Sequence, residues 1–290
     1  MNKKEKSGYA FVAPLVLGVF LFAVLPLVGV FYLSLNRSMP VFGIHEFVGF
    51  NNYLILIQDP RFLKSVVNTF YLTGVAVTFE VSLGLAFALF VDRAFRRKGC
   101  LRIALLIPWM VPTVVSARAW EWMYQPEFGV INYLGGLLGF STVYWLSEPT
   151  LALHAAILME VWKTTPFCAI LLLAGLQTIP HELYEAAKVD GATSIQIFFR
   201  VTLPLLWPAL LLVLLFRTLD SLRIFDAVYV LTGGGPANTT ETLSIYTYNL
   251  YFQTLQFGFG SAAAVATFLL VMGVSLFFIR NLKGGWKIVR

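Results

Sequence analysis

The residues able to do chemistry stand where charge is least welcome. Arg118, Lys163, Arg217 and Arg223 all fall inside long apolar runs. Each has an acid three positions away: Arg118 with Glu121, Glu160 with Lys163, Arg217 with Asp220, Asp220 with Arg223, and Arg223 with Asp226. Three-residue spacing puts two side chains on one helical face, so each pair can neutralise locally. Such pairs either serve structure or line a polar pathway through a membrane. Glu80 has no base within four residues. It is protonated, paired with another helix, or facing a cavity. Phe225 and Tyr229 are four apart, and Asp226 lies beside them, about 100° round a helix from Phe225. Two rings and a carboxylate can stack on a sugar face and accept its hydroxyl protons, or they can simply pack.

Enzyme chemistry has no counterpart here. The chain contains no GxxxxGK[ST], HExxH or GxSxG pattern. Gly233–Pro236 lacks the lysine that would reach a phosphate. His45, His154 and His181 are scattered, and Cys100 and Cys168 are far apart, so no metal or cofactor site is expected.

The elements that must position these residues are membrane spans. Of 290 residues, 58% are apolar and 12% charged, against about 25% charged in soluble domains. Apolar runs occupy about Tyr9–Leu33, Val66–Phe90, Ile103–Tyr124, Leu151–Leu176, Leu205–Leu231 and Phe257–Ile279. Each is near the ~20 residues that a spanning helix needs. The expectation is an all-α, polytopic protein with six transmembrane helices, forming one domain over residues 1–290. The first run follows Lys3, Lys4 and Lys6 but is too long for a signal peptide, which predicts a retained span.

Orientation follows from the bases. The two ends and the even-numbered connections hold Lys3, Lys4, Lys6, Arg93, Arg96, Arg97, Lys98, Arg102, Lys188, Arg200, Arg280, Lys283, Lys287 and Arg290. The opposite side holds only Arg37, Arg61 and Lys64. Bases concentrate in cytoplasmic loops, so both termini and the 177–204 loop are expected in the cytoplasm. This arrangement also accounts for the +6 net charge without a nucleic-acid partner. On the outer side, Asn36–Lys64 reads as a looped segment, and VINYLGGLLGF as a piece lying along the membrane surface. Gly233, Gly234, Gly235 and Pro236 end the fifth helix in a tight turn. Tyr246, Tyr248, Tyr251 and Phe252 gather as an interfacial belt or a ligand surface.

The 177–204 loop carries the most ordered polar pattern. Pro180 opens a helix of roughly ten residues with Glu182 in its first turn, where negative charge is favoured. Gly191 supplies a left-handed stop, and Thr193 with Gln196 has the spacing of a capping box. Ala186, Ala187 and Gly191 are small, so another surface can approach closely beside Glu185. The piece is either a docking knob for a partner or a capped helix lying on its own protein.

Glu185-Ala186-Ala187, three residues including Asp190, then Gly191, nine residues, Val201, one residue and Leu203-Pro204 resemble the EAA loop of ABC importer permeases. Val201 replaces that pattern's Ile. Leu222–Phe252 and Val48–Phe70 are similar to sugar permeases of the maltose- and glycerol-phosphate-transporter type. The resemblance implies that the EAA helix docks in a cytoplasmic ATPase, with Glu185, Ala186, Ala187, Asp190, Gly191, Leu203 and Pro204 coupling it to transport. It also implies two ATPase subunits, a second EAA-type permease and an extracytoplasmic sugar-binding protein, in a prokaryotic inner membrane. The expected function is carbohydrate import by alternating access, with no enzymatic activity in this chain. Phe225, Asp226, Tyr229, Gly233, Gly234, Gly235 and Pro236 are the substrate-path candidates. An ion-coupled secondary transporter is the alternative, with Glu80 and the intramembrane pairs as its working parts.

Overall fold

The computed structural model describes residues 3–93 and 98–285. Arg96, Arg97, Lys287 and Arg290, four of the bases that bear on orientation, lie outside the described residues. Five helices among the described residues are long and apolar enough to cross a membrane: Phe11–Ser34, Pro60–Asp92, Pro149–Leu176, Ser194–Leu222 and Phe257–Arg280. The chain divides into two compact units, Met1–Leu63 with Tyr246–Leu269, and Lys64–Ile245 with Leu270–Arg290.

The first unit begins with α1 (Lys3–Val19) and α2 (Leu25–Ser34), joined by a π-helical turn over Phe20–Val24. None of this span's most apolar 18-residue window is buried, so its side chains are left for lipid or a partner. The loop expected after it contains a small antiparallel hairpin, β1 (Asn36–Met39) with β2 (Ile44–Phe47), Arg37 opposite Glu46. Gly43, at φ 64°, closes the turn, which adds two short strands to the all-α expectation. Helix α3 (Asn51–Leu56) packs beneath, where buried Asn52 donates to the carbonyls of Ser34 and Asn36 at 2.8 and 3.0 Å. Tyr246 is buried and donates to Asp59 at 2.5 Å, with Arg61 5.7 Å from its ring centroid. It is therefore an internal anchor of this unit and not part of an exposed belt.

The second unit is built on α4 (Pro60–Arg93), α5 (Lys98–Met110), α6 (Thr113–Met123), α7 (Val130–Leu137) and α8 (Pro149–Leu176). Helices α9 (His181–Val189), α10 (Ser194–Ile197), α11 (Leu203–Leu222) and α12 (Asp226–Leu231) follow; α13 (Leu243–Tyr248) and α14 (Phe257–Gly285) end the fold. Two expected spans are broken. The third, Ile103–Tyr124, divides into α5 and α6 at Val111–Pro112. Pro112 lacks an N–H and biases Val111 away from helix. The fifth, Leu205–Leu231, stops at Leu222 and resumes at Asp226. Phe225, Asp226 and Tyr229 therefore do not ride on the long fifth helix.

Small residues set the closest approach. A Cβ at Gly84 of α4 would lie 2.6 Å from the Cys168 Cβ of α8, and one at Gly175 would lie 2.6 Å from the Ala209 Cβ of α11. Two apolar clusters result. One contains Leu72, Ala76, Trp120, Met159, Val228 and Ile245; the other contains Val81, Val91, Cys168, Leu172, Leu206 and Val213. Along α8 and α11 the chain passes from one cluster to the other near Glu160 and Arg217. The polar layer between the two cores holds the site.

Candidate functional site

Arg217 is the centre of that layer and is only 4% exposed. Its Nε donates to Glu80 Oε2 at 2.8 Å and its Nη2 to Glu80 Oε1 at 3.1 Å. The same Nη2 reaches Glu160 Oε1 at 3.1 Å, and Nη1 reaches Asp220 Oδ2 at 3.5 Å. A planar guanidinium can hold a carboxylate through two parallel bonds, which a lysine cannot match. Of the three states open to Glu80, pairing with another helix is the one found.

The local pairs divide. Arg118–Glu121 forms at 2.6 Å, and Asp220 bridges Arg217 and Arg223 at 3.5 and 3.4 Å. Glu160 and Lys163 do not pair, because each has a better partner off its own helix. Lys163 Nζ donates to the Val111 carbonyl at 2.7 Å and the Trp109 carbonyl at 3.4 Å. Those carbonyls are freed by the α5–α6 break and need donors of their own. A cation at the end of α5 also suits the helix dipole. Arg223 turns to Asp220 and the Leu219 carbonyl at 3.2 Å and not to Asp226. The second break has the same logic: Arg223 closes α11 and Asp226 opens α12, each at the helix end that favours its charge.

These groups border an open cavity of about 390 Å³ whose lining includes Trp109, Glu160, Lys163, Arg217, Asp220, Arg223, Phe225 and Asp226. The Phe225 and Tyr229 rings stack at 5.0 Å with a 16° interplanar angle, so the four-residue spacing keeps its meaning on α12. Phe225 and Asp226 reach the cavity. The glycine turn lies apart from it, after α12. Gly233 and Gly234 take φ of 60° and 91°, and the Gly235–Pro236 bond is cis. Asn68 of α4 holds the following stretch of chain through the Thr239 and Glu241 carbonyls at 3.0 and 2.9 Å. Gly233, Gly234, Gly235 and Pro236 thus shape a clamped loop and do not line the cavity. Trp109 goes unmarked in the sequence reading, and Glu160 and Lys163 appear there only as a local pair that serves structure or lines a polar pathway. Pro108 and Pro112 in one apolar run were the available signal that a helix end there would need a donor.

The 177–204 loop folds as the capping pattern predicts. Helix α9 spans nine residues, with Pro180 as its N-cap and not within its first turn. Gly191 is left-handed at φ 77°. Thr193 and Gln196 form a reciprocal capping box. Glu185, Ala186, Asp190 and Gly191 are exposed, and Glu185 meets His181 at 3.2 Å. Val189, Ile195 and Phe199 are 87%, 72% and 60% exposed, a large apolar presence on so polar a loop.

Comparison with known proteins decides the family. Residues 80–283 match the model of the binding-protein-dependent transport system inner membrane component. The chain belongs to this family. The permease is 43% identical over 278 residues to the trehalose/maltose transport system permease protein MalF of Thermococcus litoralis, covering 96% of this chain and 94% of the relative. It is 41% identical to the sulfoquinovosyl glycerol transport system permease protein SmoG of Agrobacterium fabrum, covering 87% and 81%. Its fold matches a bacterial ABC transporter involved in import of the acidic polysaccharide alginate, with TM-score 0.85, 24% identity and coverage of 97% and 96%. The ion-coupled alternative finds no support in these matches. As in that family, ATP hydrolysis falls to a separate subunit, and this permease supplies the membrane path.

Proposed function

We propose that this permease carries a carbohydrate through the cytoplasmic membrane of a prokaryote, driven by ATP and fed by an extracytoplasmic binding protein. It works beside a second EAA-type permease and two cytoplasmic ATPases. Helices α5 and α6 together make the third of six crossings, with both termini and α9 on the cytoplasmic side. Glu185, Ala186, Ala187, Asp190 and Gly191 contact the ATPase, and Leu203–Pro204 starts the helix that receives the movement.

One observation carries this reading. Both helices that flank the exposed α9 loop contribute residues to the cavity. Helix α8 runs from Glu160 and Lys163 to Leu176, just before the loop, and α11 runs from Leu203 back to Arg217 and Asp220. At 1.5 Å per residue, the 20 residues of α11 form a rod about 30 Å long. A push on α9 therefore reaches the polar layer along two stiff helices, the kind of rigid-body movement that alternating access requires.

Reconstitution of the complex in proteoliposomes tests the proposal. Saccharide uptake should need ATP and the binding protein, and should persist when ionophores collapse ion gradients. Uptake that follows a proton or sodium gradient without ATP would contradict it.

A further inference from the structure

The charges of the cavity bear on the kind of saccharide it takes. Its three cations are engaged already. Arg217 is held by Glu80 and Glu160, Lys163 by two backbone carbonyls, and Arg223 by Asp220 and a backbone carbonyl. Four carboxylates stand against them: Glu80 behind Arg217, then Glu160, Asp220 and Asp226. Asp226 is exposed and makes no hydrogen bond or ion pair with the described residues. With all seven groups ionised, the set carries one net negative charge, and its uncommitted member is an acid.

The fold does not settle the charge of the cargo, since the same fold serves an importer of an acidic polysaccharide. The side chains must. We infer, on the carbohydrate reading of this cavity, that it accepts uncharged saccharides and rejects sugars bearing carboxylate, sulfonate or phosphate. Sugar hydroxyls donate to Asp226 while a C–H face lies on the Phe225 ring. An anionic sugar meets Asp226 head-on. To gain a cation it must compete with Asp220 for Arg223, with two backbone carbonyls for Lys163, or with Glu80 and Glu160 for Arg217, all beside the unpaired charge of Asp226.

Binding to the permease–ATPase complex, purified through a tag on this chain and without the binding protein, isolates the selectivity of the cavity. Saturation-transfer NMR compares maltose, trehalose and sucrose with digalacturonate and glucose 6-phosphate. At least one neutral sugar should bind, and the anions should bind roughly tenfold more weakly or worse. Asp226→Lys should raise anion binding, and Asp226→Asn, which preserves shape, should narrow the gap. Anions binding as tightly as the neutral sugars in the wild type would overturn the inference and leave the carbohydrate reading standing. If no saccharide of either kind binds, the carbohydrate reading of the cavity fails and the inference falls with it.

Discussion

Glu80 of α4 and Arg217 of α11, 137 positions apart in the chain, meet through two hydrogen bonds of 2.8 and 3.1 Å. With Glu160 on α8, they pin three helices at one level, between two apolar cores. Removing Arg217 leaves two buried carboxylates without a counter-charge, typically a loss of about 3–5 kcal/mol. Arg217→Met should therefore lower the thermal unfolding midpoint of the purified complex sharply. Arg217→Met with Glu80→Leu and Glu160→Leu should recover most of it. A single variant as stable as the wild type would show that the triad does not hold the helices together.

Lys163 closes the broken end of α5 through the Val111 and Trp109 carbonyls. Lys163→Met fills similar space but donates nothing, and unsatisfied buried polar groups cost about 1–3 kcal/mol each. Increased hydrogen exchange confined to Trp109–Thr113 is the expected result. Unchanged exchange there would separate Lys163 from the stability of the break.

The approach of α4 to α8 rests on Gly84. Gly84→Ala places a methyl against Cys168 and should destabilise by about 1–3 kcal/mol. Gly74→Ala on the same helix meets nothing within 4 Å and should be neutral or stabilising. Thermal midpoints of the two variants, measured side by side, check the contrast.

Orientation can be read with thiols. In a protein with Cys100 and Cys168 replaced, cysteines at exposed Gln58 and Glu127 should react with an impermeant reagent added from outside. A cysteine at Glu182 should react only after the membrane is opened. The reverse pattern would invert the topology.

Much of this was legible in the sequence because it rests on local rules. Pro180, Gly191, Thr193 and Gln196 define a helix, a turn and a cap without help from tertiary structure. Apolar length located five helices long enough to cross a membrane but could not reveal the breaks in the third and fifth runs, since a broken helix keeps the same composition. Pro112 marked one break; nothing comparable marks Arg223–Phe225, where a base at one helix end and an acid at the start of the next take the place of continuous hydrogen bonding. Ion pairs were legible only within a helix. Arg118–Glu121 followed from spacing, whereas Glu160 and Lys163 found stronger partners on other elements, which one-dimensional spacing cannot foresee. Tyr246 looked interfacial because its partner Asp59 lies 187 positions away.

The most direct test of the account is coupling through α9. Gly191 has φ 77°, a conformation that a β-branched residue adopts only under strain. A Cβ added at Gly191 would meet nothing within 4 Å beyond its immediate neighbours, so backbone strain is the main effect of Gly191→Val. ATP hydrolysis and saccharide uptake should be measured together in proteoliposomes holding equal amounts of assembled wild-type and Gly191→Val complex. The account predicts that substrate-stimulated hydrolysis and uptake both fall at least about tenfold, a misplacement cost of roughly 1.4 kcal/mol or more, while saccharide binding to the cavity is retained. Wild-type hydrolysis and uptake in the variant would contradict it.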